Sequence, residues 1–304
     1  MTKLFHNLAS LGPSGIVELL DVADRLKATR GRLKSLPLAG KQVALVFEKA
    51  STRTRVSLEV AVSELGGHPM VLTSTGSQMA RGEPLADTAR VLGRMVHAIT
   101  LRTSDESRLM AMSEFSRVPV LNALTDQSHP MQLLADLQTV RAEFGRISDL
   151  HYAWIGDGNN MAQSWIEAAG LCGFRLRLAC PSGYEPQKRW LDEARRRGAD
   201  VEVVREPVEA VTGAHVISTD VFASMGQEEE ESVRLNAFAG FQVNSLLLKQ
   251  AASDAIVLHC LPAHRGEEIS EEVLEGPQSR VWDEAEARLH TAKALLLWAF
   301  DQTV

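Results

Sequence analysis

The stretch FEKASTRTR at residues 47–55 places hydroxyl and guanidinium groups directly after an apolar run at 43–47. Ser51 is a typical helix N-cap residue, and the pattern after it predicts a helix. The free backbone N–H groups of such a helix start, with the positive end of the helix dipole behind them, form an anion site. An ordinary capped helix with solvated arginines is the alternative. The crowding of side-chain donors into this turn favours a phosphate site built from Ser51, Thr52, Arg53 and Thr54.

A second group of hydrogen-bond donors stands at the start of the helical segment 130–144. Pro130 suits the first helical position, where its missing N–H is not needed, so His129 is predicted to be the N-cap. Gln132 lies three residues further on, and both side chains can therefore reach the same space. Such a pair suits a carbonyl oxygen and its amide, whereas a histidine that only caps its helix is the alternative. Arg102, at the end of a predicted strand, is by itself typical of a surface arginine.

The sequence HCLPAHRG at residues 259–266 places Cys260 directly after a predicted buried strand. A lone cysteine is usually a small hydrophobic residue of the core. Ligands collect, however, at the carboxyl edge of a parallel sheet, where a thiol is available for chemistry. A cis bond between Leu261 and Pro262 would leave main-chain carbonyls free to accept hydrogen bonds from an amine.

Two further loops carry polar groups after predicted strands. In DVFASMG, residues 220–226, Asp220 suits an ammonium group, and Ser224 with a backbone N–H suits a carboxylate. A polar loop closed by a glycine turn is the alternative. The sequence GDGNN at residues 156–160 suggests a dinucleotide-binding turn, but the motif is incomplete. Its third glycine is missing, and no acidic residue ends the following strand to hold a ribose.

Short apolar runs alternate along the chain with longer helical patterns, which is typical of βαβ units in parallel sheets. We predict an α/β fold of two doubly wound parallel-sheet domains joined by a hinge helix at 130–144. The first domain is predicted to comprise residues 1–137 with the C-terminal helix 285–304, and the second residues 138–284. The predicted strands are 43–47, 70–73, 98–101 and 118–122 in the first domain, and 152–155, 175–179, 201–204, 216–218 and 256–258 in the second.

The composition limits the class of protein. The chain has 304 residues, 45% of them hydrophobic and 23% charged, which is ordinary for a folded soluble protein of two domains. Its net charge of −7 argues against nucleic-acid binding, which needs a positive surface to displace counterions. No apolar run is long enough to cross a bilayer, and the N-terminus lacks the apolar core of a signal peptide. Three cysteines form no disulfide framework and no paired metal-ligand spacing, so we expect a cytoplasmic protein.

Several of these motifs together resemble one family. FEKASTRTR and the segment HPMQLLADLQT at 129–139 resemble the carbamoyl-phosphate motifs of the aspartate/ornithine carbamoyltransferase family, which both branches share. HCLP and D-x-x-x-S-M-G resemble the ornithine branch, whereas the aspartate branch has an H-P-x-P-R type of sequence in place of HCLP. The resemblance extends from about Leu38 to Lys293. It departs where the family's A-E-N-R-x-H reads AEARLH, with Ala287 before Arg288.

The resemblance implies transfer of a carbamoyl group from carbamoyl phosphate to L-ornithine, in arginine biosynthesis, with no metal ion or organic cofactor. It implies ornithine contacts for Asn160, Asp220, Ser224 and Met225, and a direct part in the chemistry for Arg102, His129, Asp220 and Cys260. It implies carbamoyl-phosphate contacts for Ser51, Thr52, Arg53, Thr54, Gln78, Arg102, His129, Gln132, Cys260, Leu261 and Arg288.

The segment at residues 77–83 is similar to a family loop that reaches a neighbouring subunit's active site. This likeness implies a homotrimer with shared sites, in which Gln78 is the residue donated to the neighbour. A loop that serves its own subunit is the alternative.

Four other functions stay open on the sequence. A carbamoyltransferase for aspartate or another amine is disfavoured by HCLP and SMG, and a putrescine enzyme would have no use for a carboxylate-binding SMG. A nucleotide-dependent dehydrogenase is suggested by the GDG turn alone. A binding or regulatory member of the family that has lost catalysis is disfavoured, because the chain retains Arg53, His129, Gln132, Cys260 and Arg288.

Overall fold

The computed structural model describes residues 2–73, 82–223 and 230–303. Three predicted site residues, Gln78, Ser224 and Met225, lie outside these ranges. The chain divides into two compact units, the first made of Met1–Gln138 with Glu286–Val304 and the second of Thr139–Ala285. Each unit has its own parallel sheet and its own candidate site residues.

The first unit contains a five-stranded sheet in the order β1-β5-β4-β2-β3. Its strands are β1 (Leu4–Phe5), β2 (Gln42–Phe47), β3 (His68–Thr73), β4 (Ala98–Arg102) and β5 (Val120–Leu124). Its helices are α1 (Gly12–Ala28), α2 (Thr52–Glu64), α3 (Leu85–Leu92), α4 (Glu106–Ser116) and the first part of α5 (Pro130–Phe144), with a short 3₁₀ helix at Leu8–Ser10.

The second unit contains a five-stranded sheet in the order β10-β9-β6-β7-β8. Its strands are β6 (His151–Ile155), β7 (Arg175–Ala179), β8 (Val201–Val204), β9 (Val216–Thr219) and β10 (Ile256–His259). Its helices are α6 (Asn160–Cys172), α7 (Lys188–Arg196), α8 (Pro207–Val211), α9 (Glu231–Ala237), α10 (Ser245–Leu248) and α11 (Glu271–Leu274). The last helix, α12 (Val281–Ala299), begins in the second unit and continues into the first.

Every strand pairing in the two sheets is parallel, which confirms the predicted α/β class with two doubly wound sheets. The chain reverses its direction of strand addition between β2 and β4 in the first sheet, and between β6 and β9 in the second. In open α/β sheets, ligands bind at such switch points, outside the carboxyl ends of the strands. The candidate site residues follow β2, β4 and β5 in the first unit and β6, β9 and β10 in the second.

The central strands form where the sequence has uninterrupted apolar runs. In β2, the residues from Val43 to Phe47 are all buried, as expected for a parallel strand covered on both faces. Helix α5 has the predicted bounds, and Gly145 after it adopts a φ of +69°, which terminates the helix. Helix α6 begins behind Asn159, whose side chain accepts from the N–H groups of Met161 and Ala162.

The predicted strands are present, and most are longer than expected by one or two residues. Strand β5 begins at Val120, two residues later than expected. The two-residue strand β1 is absent from the prediction, because so short a run has no period to detect. None of the helices in the described part of the chain has the length and apolar character needed to cross a membrane.

Candidate active site

The start of α2 has the geometry of an anion site. Ser51 has the extended backbone of an N-cap residue, with φ −163° and ψ 114°. Its side chain makes no capping hydrogen bond, so the hydroxyl does not cover the N–H groups that an anion would use. Arg53 is half-buried in the first turn, and Thr52 is exposed beside it. The helix start therefore presents backbone, hydroxyl and guanidinium donors together.

A chain of buried hydrogen bonds connects α2, α5 and α12 within the first unit. Arg288 donates from Nη2 to Thr54 Oγ1 at 3.0 Å and from Nη1 to Gln132 Oε1. Gln132 in turn donates from Nε2 to Asp136 Oδ1 at 2.8 Å. Because an ionised carboxylate only accepts, Asp136 fixes the Gln132 amide with its oxygen toward Arg288. The replacement of the family asparagine by Ala287 thus leaves Arg288 held by two side chains.

His129 lies among positive charges. The side chains of His129 and Arg102 are each 6% exposed. Burial lowers the pKa of His129 well below its usual value of 6.5, and the charges of Arg288, Arg102 and Arg53 lower it further. The imidazole is therefore neutral at neutral pH, so it can donate one N–H to a carbonyl oxygen. The three guanidinium groups give this region a positive charge that attracts anions.

The lowered pKa of His129 predicts a pH dependence of stability. Below about pH 6.5, the unfolded chain binds a proton at this histidine and the folded chain does not, so the free energy of unfolding decreases as the pH is lowered. In a His129→Gln variant, the loss between pH 7.5 and pH 5.5 should be smaller than in the wild type. Urea denaturation at the two pH values measures it. His151 and His290, whose pKa values are also lowered, contribute equally to both proteins. Equal losses would contradict a neutral, buried His129.

In the second unit, the ends of β6, β9 and β10 meet at the carboxylate of Asp220. The Cys260 thiol donates to Asp220 Oδ1 at 3.1 Å, and the backbone N–H of Val221 donates to the same oxygen at 2.8 Å. The Asn159 amide donates to Oδ2 at 3.0 Å. Asp220 is 9% exposed. Its orientation is thus set by three donors from three loops.

The loop after β10 is held by a buried histidine. His259 Nδ1 accepts the N–H of Leu261 at 2.9 Å, so its Nε2 carries the proton and donates to Glu268 at 3.0 Å. The bond between Leu261 and Pro262 is cis, the arrangement that the sequence left open. Asp220, His259 and Cys260 have possible metal-ligand atoms within 4.8 Å of one another. Both ring nitrogens of His259 are engaged with protein groups, so in this arrangement His259 offers neither of them to a metal ion.

The GDGNN turn is filled by the protein's own backbone. A Cβ atom at Gly158 would lie 2.1 Å from the nitrogen of Pro186 and 2.3 Å from the carbonyl carbon of Glu185. In a dinucleotide-binding turn, the missing side chain of the corresponding glycine lets a pyrophosphate approach the backbone. Here the backbone of residues 185–186 occupies the space next to Gly158, and the Gly158 N–H donates to the Tyr184 carbonyl at 2.8 Å. The turn ends at Asn160, which is half-buried and begins α6.

This close approach predicts that Gly158→Ala is damaging. The added methyl group must displace the backbone of residues 185–186, at a cost of roughly 1–3 kcal/mol of overpacking. We expect a lower unfolding midpoint and a raised KM for an amino-acid substrate, measured by urea denaturation and steady-state kinetics. Gly15→Ala is the control, because its Cβ would meet only the Leu11 side chain, at 3.3 Å. A wild-type midpoint in Gly158→Ala would contradict the packing.

Comparison with known proteins finds a family match for both halves of the chain. The model of the aspartate/ornithine carbamoyltransferase carbamoyl-P binding domain matches residues 3–142, and that of the Asp/Orn binding domain matches residues 148–299. An ornithine carbamoyltransferase from Rhizorhabdus wittichii is 49% identical over 304 residues, covering 98% of each chain. The chain belongs to the aspartate/ornithine carbamoyltransferase family. The resemblance to its ornithine branch is confirmed.

Solved structures of the family have the same fold. The ornithine carbamoyltransferase from Thermus thermophilus is 44% identical, has a TM-score of 0.89, and covers 98% of this chain and 99% of its own. The anabolic ornithine carbamoyltransferase from Campylobacter jejuni is 36% identical, has a TM-score of 0.93, and covers 99% of this chain and 100% of its own.

The structure brings most of the predicted site residues into two groups, one in each unit. The first-unit group comprises Ser51, Thr52, Arg53, Thr54, Arg102, His129, Gln132 and Arg288. The second-unit group comprises Asn160, Asp220, Cys260 and Leu261. Sequence reasoning missed Asp136 and Asn159, which orient Gln132 and Asp220, because neither has a signal of its own beyond its place next to a motif. It also missed Arg234, which is 4% exposed, pairs with Asp157 and donates to the Phe222 carbonyl.

Proposed function

We propose that this protein is an ornithine carbamoyltransferase, which converts carbamoyl phosphate and L-ornithine to L-citrulline and phosphate. The observation that carries the proposal is the Asp220 carboxylate, which accepts from the Cys260 thiol of the HCLP loop at 3.1 Å. An oriented anion beside a thiol suits a substrate amine. The full-length relatives named ornithine carbamoyltransferase support the same activity.

In the proposed donor half, the first unit binds carbamoyl phosphate. The start of α2 binds the phosphate through Ser51, Thr52, Arg53 and Thr54. Thr54, Arg102 and neutral His129 donate to the carbonyl oxygen and stabilise the negative charge that develops on it. Gln132, whose orientation Asp136 fixes, and Arg288 orient the carbamoyl NH₂ group. The Leu261 carbonyl accepts from the same NH₂ group, and Gln78 donated by a neighbouring subunit completes the site.

In the proposed acceptor half, the second unit binds ornithine. Asn160, Ser224 and Met225 hold the α-amino and α-carboxylate groups. Asp220 and Cys260 receive the δ-amine, which must be neutral to act as a nucleophile. The three donors on Asp220 orient its carboxylate, which attracts a cationic amine and offers an acceptor for its proton.

The reaction proceeds by direct attack. The lone pair of the δ-nitrogen forms a bond to the carbamoyl carbon, and the carbonyl oxygen becomes an oxyanion in a tetrahedral intermediate. The C–O bond to phosphate then breaks as the carbonyl re-forms, and the departing phosphate takes the remaining amine proton. Orientation of the two substrates supplies much of the rate. No step in this scheme uses a metal ion or an organic cofactor.

Three further properties belong to the proposal. The resemblance of residues 77–83 to a subunit-spanning loop supports a homotrimer with shared sites, which light scattering after size exclusion tests. The three free cysteines, Cys172, Cys180 and Cys260, support a reducing compartment such as the cytoplasm. The anabolic relative supports a role in arginine biosynthesis.

A citrulline assay with a panel of acceptors tests the proposed activity. The purified protein is given carbamoyl phosphate with ornithine, putrescine, acetylornithine, lysine or aspartate, and kcat/KM is measured for each acceptor. We expect ornithine to be preferred, because Asp220 and the SMG loop suit an amine and a carboxylate on one molecule. A higher kcat/KM for any other acceptor would contradict the proposed function.

A further inference from the structure

Glu48 occupies a central position at the carboxyl edge of the first sheet. It follows β2 directly and precedes the anion-binding helix start by three residues. The last residue of β2, Phe47, pairs in register with Arg102 at the end of the neighbouring strand β4. The Glu48 side chain is 15% exposed. An ionised carboxylate so far removed from water requires partners that compensate its desolvation.

Residue 48 is bound to two consecutive residues of the β4 end, to Arg102 through its backbone and to Thr103 through its carboxylate. The Glu48 backbone N–H donates to the Arg102 carbonyl at 2.9 Å. The hydroxyl of Thr103, which is fully buried, donates to Glu48 Oε2 at 2.6 Å. Residues 102 and 103 are therefore both bound to residue 48. A two-point attachment of this kind prevents the β4 end from sliding or rotating against the turn that follows β2.

The third partner of residue 48 is Arg108 of α4, whose guanidinium group contacts both carboxylate oxygens. Its Nε donates to Glu48 Oε1 at 3.0 Å and Oε2 at 2.9 Å, and its Nη2 donates to Oε1. Paired donors of this type fix geometry as well as adding energy. A neighbouring ion pair, between Lys49 and Asp126 at 2.9 Å, links the same turn to the loop after β5. Because Asp126 is 54% exposed, that pair contributes little to holding the turn.

We propose that Glu48 is a positioning residue for carbamoyl phosphate, which sets Arg102 at the correct distance from the phosphate-binding helix start. The inference rests on the proposed function, because it takes carbamoyl phosphate as the ligand of the first unit. Glu48 acts through Arg102 and the turn, and does not touch the substrate. Ornithine binding, assigned to the second unit, is independent of it.

Glu48→Gln tests the proposal. The amide oxygen can still accept from Thr103, but the charge that holds Arg108 is lost, and the new NH₂ group repels it. A misplacement of Arg102 by a fraction of an ångström should raise the KM for carbamoyl phosphate by about 10-fold. The KM for ornithine should stay within a factor of about two. Glu48→Asp, which keeps the charge, should give an intermediate value.

Glu64→Gln is the matched control. It makes the same change in another ion pair of the first unit, where Glu64, 28% exposed, pairs with Lys293. We expect it to lower stability without changing either KM. If Glu48→Gln likewise lowers only the melting temperature, Glu48 is merely structural and the proposal is overturned. An equal rise in both KM values would also overturn it.

Thr103→Val provides a smaller perturbation in case Glu48→Gln does not fold. It removes one hydroxyl at nearly constant volume and should also raise the carbamoyl-phosphate KM, and an unchanged KM would contradict the tie. Calorimetric titration with inorganic phosphate separates this proposal from the proposed function. If the wild type makes no citrulline, the proposed function is wrong. Weaker binding of phosphate by Glu48→Gln than by the wild type would still support the positioning role of Glu48. Equal phosphate binding by the two proteins would overturn that role.

Discussion

Arg53→Ala is expected to abolish turnover, with kcat/KM for carbamoyl phosphate lowered by roughly 10³-fold or more. The guanidinium of Arg53 stands in the first turn of α2, where the backbone N–H groups also point toward an anion. Carbamoyl phosphate carries negative charge on the phosphate that grows as the C–O bond breaks, so the cation stabilises the transition state more than the ground state. Steady-state kinetics with saturating ornithine measure the loss.

Arg55→Ala is the control for Arg53→Ala. Arg55 lies on the same helix, is 50% exposed, and pairs with Glu59 at 2.9 Å in an i,i+4 geometry. Because exposed helical pairs contribute little, this variant should retain both activity and stability. If Arg53→Ala were as active as Arg55→Ala, the phosphate assignment would be wrong. The variant Arg53→Lys should be more active than Arg53→Ala but less active than the wild type, because an ammonium group lacks the paired donors of a guanidinium group.

Asp220→Asn is expected to lower kcat by about 10²–10³-fold and to raise the KM for ornithine. Each carboxylate oxygen of Asp220 now accepts from the protein: Oδ1 from Cys260 and Val221, and Oδ2 from Asn159. An asparagine amide has one NH₂ group, which must face at least one of these donors. The substitution therefore both removes the negative charge and disturbs the orientation of the thiol.

Two comparisons make the Asp220 prediction specific. Asp200→Asn removes a carboxylate that is 60% exposed and pairs with Arg177 in the same unit, and it should leave ornithine kinetics unchanged. Asn159→Ala removes only the donor to Oδ2 and one helix cap, so a smaller effect on kcat is expected. An Asp220→Asn enzyme that keeps wild-type kcat and ornithine KM would contradict the role given to Asp220 and Cys260.

The sequence predicts the parts of the fold that local patterns encode. Helix α5 has its expected bounds because Pro130 and Gly145 are strong start and stop signals. The strands are found because parallel strands buried on both faces have continuous apolar runs. The order of strands in each sheet is not local, because it depends on which runs pair across tens of residues. The switch points that gather the site residues therefore appear only in the structure.

The same distinction applies to the site. Arg53, His129 and Cys260 stand in motifs whose residue types indicate their chemistry. Glu48 and Asn159 act through partners that are 55 and 61 residues away in the sequence, so no spacing indicates them. The motif indicates Asn160 as a site residue, whereas the contact with Asp220 is made by the amide of its neighbour Asn159. The roles of Gln78, Ser224 and Met225 stay predictions, since these residues lie outside the described ranges.

Isotope-labelled substrates test the central claim most directly. Carbamoyl phosphate labelled with ¹³C at the carbonyl is mixed with ornithine labelled with ¹⁵N at the δ-nitrogen, and the product is observed by ¹³C NMR. The Arg53→Ala protein measures the uncatalysed background. We expect a ureido carbon with one-bond coupling to ¹⁵N, formed in equal amount with phosphate. An uncoupled product, or a rate no higher than that background, would contradict enzymatic carbamoyl transfer to the δ-amine of ornithine.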